Sequence, residues 1–249
     1  MKKLALFFVS ISLLFAVNGQ TFKSRLNKLA KKDSTGILSA VTQKVPSGSS
    51  LSNDEIIKGL KQALTIGTDS SAKRLSKADG FFANAAIKIW MPDEAKKAES
   101  TLRNFGMSPL VDKAILSMNR AAEDAANGVS TIFWDAIRQM SLQDGLSILR
   151  GGDFAATEFL KKNTTTILAE KMRPVIQASL DKVNATVYWK DVFTAYNKFS
   201  RQQINTDLTA YVTGKAMDGL FHEIGLEEQK IRKDPAAQVT DLLKKVFAK

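Results

Sequence analysis

The sequence has no cysteine and only one histidine, His222, and these shortages exclude several kinds of chemistry. Without cysteine the chain cannot form a disulfide bond, so its stability has to come from an apolar core. Serine and cysteine hydrolases are poorly supported, because the chain has neither a thiol nor a Gly-x-Ser-x-Gly segment and offers a single imidazole base.

His222 lies in a helical run in which carboxylates recur at a spacing of four residues. Asp218 precedes it by four positions, and Glu223 and Glu227 form a second pair with the same spacing. This spacing could place two metal ligands on one helical face, but a zinc hydrolase would need a second histidine. A polar helix surface is the simpler interpretation, so we expect neither a metal nor a cofactor.

Long hydrophobic runs are absent except at the very start of the chain. Lys2 and Lys3 precede an apolar run over residues 4–17, and the small residue Gly19 follows. This order is typical of a secretory signal peptide, here residues 1–19, with cleavage near Gly19. The run is short for a membrane span, which needs about 20 apolar residues, so an uncleaved anchor is the less favoured alternative. The sequence thus predicts a periplasmic or secreted protein.

The positive charge of the chain, +11 at pH 7, is concentrated at its two ends. Residues 20–48 carry six basic side chains and one acidic one, and residues 230–249 carry six and two. The body between them is neutral, with 22 of each sign, whereas a nucleic-acid-binding domain would carry a basic patch. We therefore expect no nucleic-acid partner. Residues 20–48 are instead a candidate for binding an anionic membrane surface.

Residues 20–50 combine this positive charge with an apolar face. Phe22, Leu26 and Leu29 fall on one side of a short amphipathic helix, and "PSGSS" at residues 46–50 is typical of a flexible link. These residues are therefore predicted to form a basic amphipathic lead and linker. In the alternative interpretation, the same apolar face docks on the body of the protein as its first helix.

Apolar residues recur at helical spacing through almost all of residues 51–249. Val111, Ile115 and Met118, for example, follow the i, i+3, i+4 rule that marks one face of an α-helix. We therefore predict an all-α fold, with a single multi-helix domain over this range.

One short segment near residues 86–91 departs from the helical pattern. Apolar residues alternate there with other types, and a period of two is typical of an extended chain. The alternating residues are Ile87, Lys88, Ile89, Trp90 and Met91. Since no other segment shows this pattern, the extended piece is predicted to lack a partner strand.

Several helix starts can be placed from capping signals. Ser52 with Glu55, and Ser141 with Asp144, have the spacing of a capping box, in which a side chain and a backbone N–H satisfy each other reciprocally. Ser108, which precedes a proline, is the expected N-cap of another helix.

The segment "ILRGGDFAATEF", residues 148–159, combines a double glycine with an aspartate. A phosphate-binding loop would need a preceding strand and a following lysine, so a corner between two helices is favoured. We predict that Gly151 ends the first helix in a left-handed conformation and that Asp153 caps the next one. Pro174 should kink or break this second helix, which otherwise extends over residues 154–183.

The first candidate for a functional site is a polar cluster on a predicted helix. Asn119, Arg120, Glu123 and Asp124 have i, i+4 spacing and lie beside an apolar stripe. They could form a buried network between helices, line a cleft, or make ordinary ion pairs on a helix surface.

The second candidate is an aromatic stripe. Tyr188, Trp189, Phe193 and Tyr196 recur at helical spacing. Such a stripe could line an apolar ligand cavity, but dense core packing is the more ordinary role of aromatic side chains.

Five segments, in this order along the chain, carry a family resemblance: "LSNDEIIKGLKQAL", "SKADGFFANAAIKIWMPDE", "LSMNRAAEDAA", "DAIRQMSLQDGLSILRGGDFAATEFL" and "AMDGLFHEIGLEEQKIRKDPAAQVTDLLKKVF". Together they resemble a bacterial family of exported proteins that is known only as domain of unknown function 4197. The resemblance covers residues 51–247. It implies an exported bacterial protein with an all-helical body, and it carries no known activity and no known site residues.

These observations favour a non-enzymatic function, in which an exported bacterial envelope protein binds a lipid or protein partner. The alternative is a carboxylate-based hydrolase that acts on a cell-envelope glycan, because paired catalytic carboxylates leave no local spacing signature. The cavity distinguishes the two: a hydrolase needs an open cleft with two carboxylates, and a lipid-binding protein needs an apolar hollow.

Overall fold

The computed structural model describes residues 52–197, 203–204, 207–238 and 244. These residues form eight α-helices and two short 3-10 turns, with no strand in the described ranges, which confirms the predicted all-α fold. The helices are α1 Asn53–Leu75, α2 Lys96–Asn104, α3 Ser108–Ala126, α4 Ser130–Gln139, α5 Leu142–Arg150, α6 Ala155–Asp181, α7 Ala185–Asn197 and α8 Leu208–Lys233, and the 3-10 turns are Asp93–Ala95 and Pro235–Ala237. The predicted signal peptide, lead and linker lie outside the described residues.

Helices α6 and α8, the two longest of the described helices, form the centre of the core. They pack against each other, while α3 packs on both of them and α1 packs on α8. Apolar residues at successive turns of α6 are fully buried, among them Leu160, Leu168, Met172, Ile176 and Leu180. Because each such side chain contributes about 1.5–3 kcal/mol of burial free energy, the core stabilises the fold without disulfides.

The two predicted capping boxes are confirmed. The Ser52 hydroxyl accepts a hydrogen bond from the Glu55 N–H at 3.3 Å, and the Glu55 carboxylate accepts one from the Ser52 N–H at 2.9 Å. Ser141 and Asp144 make the same reciprocal pair at the start of α5. The prediction that Ser108 is an N-cap is wrong by one residue, because α3 already begins at Ser108 and Met107 occupies the N-cap position.

The double-glycine segment forms a corner between α5 and α6, as predicted, but its capping differs from the prediction. Gly151 has φ −75° and ψ 176°, which is extended backbone and not the left-handed conformation. Glycine is required there by space, since an added Cβ would lie 2.5 Å from the Cβ of Ala155. Asp153 does not cap α6; its carboxylate lies 2.7 Å from the Lys233 ammonium.

The start of α6 is capped instead by Glu228, a buried residue of α8. Its carboxylate accepts hydrogen bonds from the N–H groups of Ala156 at 2.9 Å and Thr157 at 2.8 Å, and from the Thr157 hydroxyl at 2.8 Å. Arg232 on the next turn of α8 balances the charge at 2.8 Å. A negative charge at a helix N-terminus is favourable, so this distant residue replaces the local cap that the sequence suggests.

Helix α6 runs without a break through Pro174. A proline removes one backbone hydrogen bond of a helix and crowds the preceding turn, which was the reason to expect a kink or break. Met172 and Ile176 on either side are both buried in the core, so tertiary packing keeps the chain helical at this point.

Within the residues that the structure describes, none of the helices is both long enough and apolar enough to cross a membrane.

Candidate binding groove

Residues 76–92, which connect α1 to the first 3-10 turn, contain the predicted extended piece. Its first part is not extended, because residues 85–87 form a turn and the Lys88 N–H donates to the Asn84 carbonyl at 2.8 Å. Ile87, Ile89 and Met91 are buried, whereas Trp90 is 52% exposed. The alternation seen in the sequence is therefore confirmed, and Trp90 is directed away from the core. We call residues 76–92 the connecting segment.

The extended piece pairs with a side chain where a strand would normally pair with another strand. The Oδ1 atom of Asn119 accepts a hydrogen bond from the Ile89 N–H at 2.9 Å, and its Nδ2 donates to the Ile89 carbonyl at 2.8 Å. Nδ2 also donates to the Ile115 carbonyl at 2.7 Å. Asn119 is completely buried, and these bonds satisfy both its own amide and the peptide groups of Ile89.

One turn further along α3, Glu123 holds the preceding part of the connecting segment. Its Oε1 accepts hydrogen bonds from the N–H groups of Phe81 at 3.0 Å and Phe82 at 3.2 Å. Its Oε2 lies 2.5 Å from Arg120, whose other guanidinium nitrogen lies 2.7 Å from Asp79. Glu123 is buried, so this complete set of partners is what allows a carboxylate at that position.

Helix α8 holds the connecting segment from a second side. Glu223 accepts hydrogen bonds from the Asn84 amide at 3.0 Å and from Arg74 at 3.1 Å, and Glu227 accepts a second bond from Arg74 at 2.7 Å. The two carboxylates noted in the sequence thus form one ion-pair fork with Arg74 of α1. The predicted polar helix face is here an internal contact between elements.

Gly219 and Tyr211 of α8 complete the contact with the connecting segment. An added Cβ at Gly219 would lie 2.6 Å from a ring carbon of Phe81, so only glycine allows this close approach. The Tyr211 hydroxyl donates a hydrogen bond to the Trp90 carbonyl at 2.9 Å. Trp90 therefore lies on a piece of backbone that is fixed at its own carbonyl and at the preceding residue.

An open groove of about 770 Å³ lies between the end of the connecting segment, the turn that follows it and α8. Its lining includes the exposed Trp90, the half-buried Tyr211 and the exposed side chains of Glu94, Lys215, Asp218 and His222. The volume falls within the range of about 300–1,000 Å³ that is usual for ligand pockets. We call this space the groove.

The pKa values in the groove follow from two local causes. A hydrogen bond and ion pair with Lys96, at 2.7 Å, lower the pKa of Asp93 and raise the pKa of Lys96. Burial, together with the charges of Asp93 and Glu94, raises the pKa of Tyr211 to about 12. Near neutral pH, Asp93 is therefore ionised and the Tyr211 phenol is protonated.

The residues of the predicted polar cluster make two separate sets of contacts. Asn119, Arg120 and Glu123 hold the connecting segment from behind and are not part of the groove lining. Arg120 pairs with Glu123 three residues on, whereas Asp124 is exposed and accepts a hydrogen bond from the Ser179 hydroxyl of α6 at 2.6 Å. Of the three interpretations left open by the sequence, the buried network describes Asn119 and Glu123.

The described members of the aromatic stripe belong to the core. Trp189 and Phe193 are both buried, and their ring centroids lie 4.5 Å apart at an interplanar angle of 54°. They pack in the main apolar cluster of the domain. The Tyr188 and Tyr196 side chains lie outside the described residues.

The groove brings His222 and Asp218 together on one face of α8, as their spacing predicts. Over the described ranges, no group of three or more metal-binding side chains is present. Trp90, Glu94 and Tyr211 were not identified as site residues from the sequence. The alternation around Trp90 was the available signal, since it places a large aromatic ring on the outer side of a held segment.

Residues 50–248 match the model of a family described as Protein of unknown function (DUF4197). The matched range includes every residue of the groove and of the side chains that hold the connecting segment. No curated protein and no solved structure matches the chain.

Proposed function

The chain belongs to the DUF4197 family of proteins of unknown function, and we propose that it is an exported, non-enzymatic binding protein of the bacterial cell envelope. In this proposal the groove holds a partner molecule without breaking any of its bonds. The observation that carries it is the fixed wall of the groove. Asn119 and Tyr211 hold the backbone at two consecutive residues, Ile89 and Trp90, so the binding surface is formed before a ligand arrives.

Four ionisable groups at or behind the groove are unsuited to acid–base catalysis, which supports binding over hydrolysis. A glycan hydrolase needs one carboxyl group that carries a proton near neutral pH. Asp93 does not suit that role, because Lys96 lowers its pKa. Buried Glu123 and Glu223 are occupied by bonds to the connecting segment, and the raised pKa of Tyr211 keeps its phenol from acting as a base.

The character of the lining supports a polar ligand over a lipid. Trp189 and Phe193, two of the four residues considered for an apolar hollow, pack in the core, and carboxylate, ammonium and imidazole groups line the groove. A lipid chain would be recognised by a mostly apolar cavity. Contact with anionic membrane through residues 20–48 stays a separate part of the proposal, supported by their net charge of +5 and their apolar face.

Export is supported by the order of lysines, apolar run and small residue in residues 1–19. Mass spectrometry of the protein purified from its native host tests it. We expect a mature chain that begins at Gln20 or within a few residues of it. An intact chain that still begins at Met1 would contradict export with cleavage.

Amide hydrogen exchange tests the binding function itself. Three classes of envelope material are offered separately to the mature protein: peptide-free peptidoglycan strands, vesicles of anionic lipid, and a periplasmic protein extract. We expect one class to slow exchange in residues 86–99 and 211–222, while mass spectrometry finds that ligand unchanged. Cleavage of the ligand would replace the proposal with the hydrolase alternative, and unchanged exchange with all three classes would overturn it.

A further inference from the structure

We infer that the groove recognises a glycan chain, with the exposed indole of Trp90 as the surface on which a sugar ring stacks. This inference rests on the proposed binding function and names its ligand class. It depends on the fixed position of Trp90, the free polar groups beside it and the charge balance of the groove.

Trp90 exposes a large apolar ring at a position where the chain cannot easily turn it inward. The residues before and after it, Ile89 and Met91, are buried, so the alternation of an extended chain directs the indole outward. Asn119 and Tyr211 fix the backbone at Ile89 and at Trp90 itself. A ligand that covers the ring therefore gains apolar burial with little loss of conformational entropy.

A cation also contacts the ring and favours its orientation. The ammonium group of Lys88 lies 3.8 Å from the centroid of Phe82 and 4.4 Å from the centroid of Trp90, and is therefore in contact with both rings. A cation over an aromatic face is attracted by the negative charge of that face. Lys88 thus supports the indole, while 52% of Trp90 stays exposed for contact with a ligand.

Free polar groups line the same groove as the exposed ring. Glu94, Lys215, Asp218 and His222 line the same groove, and none of them forms a hydrogen bond or ion pair with another residue in the described part of the chain. Carboxylates accept hydrogen bonds, ammonium groups donate them, and a neutral imidazole does both. A sugar ring presents C–H groups on its face and hydroxyl groups around its rim, so the face suits the indole and the rim suits these side chains.

The balance of charges favours a ligand of low net charge. Among the described lining residues there are four carboxylates and three ammonium groups. The carboxylates are Asp93, Glu94, Glu99 and Asp218, and the ammonium groups are Lys88, Lys96 and Lys215. A strongly basic peptide or a densely charged polyanion would meet charges of its own sign. A glycan carries mainly hydroxyl and acetamido groups, and peptide-free peptidoglycan adds only one carboxylate for each disaccharide unit, so its charge density is low.

Isothermal titration calorimetry with two probes tests this assignment: the tetramer of N-acetylglucosamine and peptide-free peptidoglycan strands. We expect saturable binding of at least one probe to the mature protein. Trp90→Ala should weaken that binding by about tenfold or more, because stacking is lost, whereas Trp90→Tyr should keep most of it. Phe105→Ala removes a ring that is 76% exposed outside the groove, and should bind like the unaltered protein. Thermal melts of all variants establish that each is folded.

The outcomes separate the ligand class from the binding function. If neither glycan binds, or if Trp90→Ala binds as well as the unaltered protein, the glycan assignment is overturned. If at the same time lipid vesicles or the protein extract still slow hydrogen exchange in residues 86–99, the groove is a binding site for another class of molecule. If no class of material changes hydrogen exchange there, both the glycan assignment and the proposed binding function are overturned.

Discussion

The side-chain amide of Asn119 forms two hydrogen bonds with the backbone of a single residue, Ile89, at 2.9 Å and 2.8 Å. A neighbouring strand would make the same pair of bonds with an extended residue. In this all-helical domain, one side chain of α3 takes over that role. Its position explains how an extended piece without a partner strand is kept in place beside the groove.

Replacement of Asn119 by alanine should strongly destabilise the domain. The change leaves the N–H and carbonyl of Ile89 buried without partners, and each unsatisfied group costs about 1–3 kcal/mol. We expect the free energy of unfolding, measured with urea, to fall by about 2–4 kcal/mol. Asn104→Ala, at an exposed position, is the matched control and should change it by less than about 0.5 kcal/mol. Equal effects of the two changes would show that the Asn119 pairing does not hold the segment.

Alanine variants of Glu228 and Asp153 show which residue caps the start of α6. Glu228→Ala should lower the free energy of unfolding by about 3–5 kcal/mol, since it removes the cap of Ala156 and Thr157 and leaves the partly buried Arg232 without its ion-pair partner. Asp153→Ala should cost about 1 kcal/mol or less, because its ion pair with Lys233 is solvent-exposed. A larger loss for Asp153 than for Glu228, measured by the same urea titration, would mean that the local cap is the real one.

Gly151→Ala should destabilise the corner by about 1–3 kcal/mol through crowding against Ala155, and not through backbone strain. A double variant with Ala155→Gly should recover part of that loss, because it removes the atom that the new Cβ would meet. Gly152→Ala is the control, since the space around Gly152 is open, and its stability should stay the same or rise slightly. If Ala155→Gly gives no recovery in thermal melts, the crowding explanation is wrong.

Tyr211 should titrate well above an ordinary tyrosine, with a pKa of about 12. A pKa raised by folding means that the folded state favours the protonated phenol. Its stabilising effect is fully present below the unfolded pKa of about 10 and is lost as the pH rises through the folded value. The phenolate absorbance of the unaltered protein minus that of Tyr211→Phe isolates this group. A difference curve with its midpoint near the ordinary value of 10.0 would contradict the raised pKa of this half-buried phenol.

The local features of the fold were predictable, and the contacts between distant elements were not. The capping boxes at Ser52 and Ser141 depend on residues three positions apart, and the alternation around Ile89 depends on neighbours. Glu228, in contrast, caps a helix that begins more than 70 residues earlier, and the sequence around Asp153 already offered a plausible local cap. Spacing along one helix carries no information about which neighbouring element a side chain meets.

The same limit applies to the groove. The sequence offered the polar cluster at Asn119 and Glu123 as a candidate site. The partners of these two residues lie about 30 and 40 residues away, and both side chains position the connecting segment. The groove-lining residues Trp90 and Tyr211 come from different parts of the chain, and only the packing of α8 against the segment brings them together. A sequence pattern could indicate that Trp90 faces outward, but not which residues surround it.

The central claim, a preformed groove that binds a glycan through Trp90 without cleaving it, is tested most directly by nuclear magnetic resonance of the indole N–H groups. The chain has three tryptophans, and the spectrum of Trp90→Tyr assigns the Trp90 signal. On addition of peptide-free peptidoglycan strands, we expect the Trp90 signal to shift progressively to saturation, while the signals of Trp134 and buried Trp189 stay in place and the strands keep their mass. A stationary Trp90 signal, or strands that become shorter during the titration, would contradict the account.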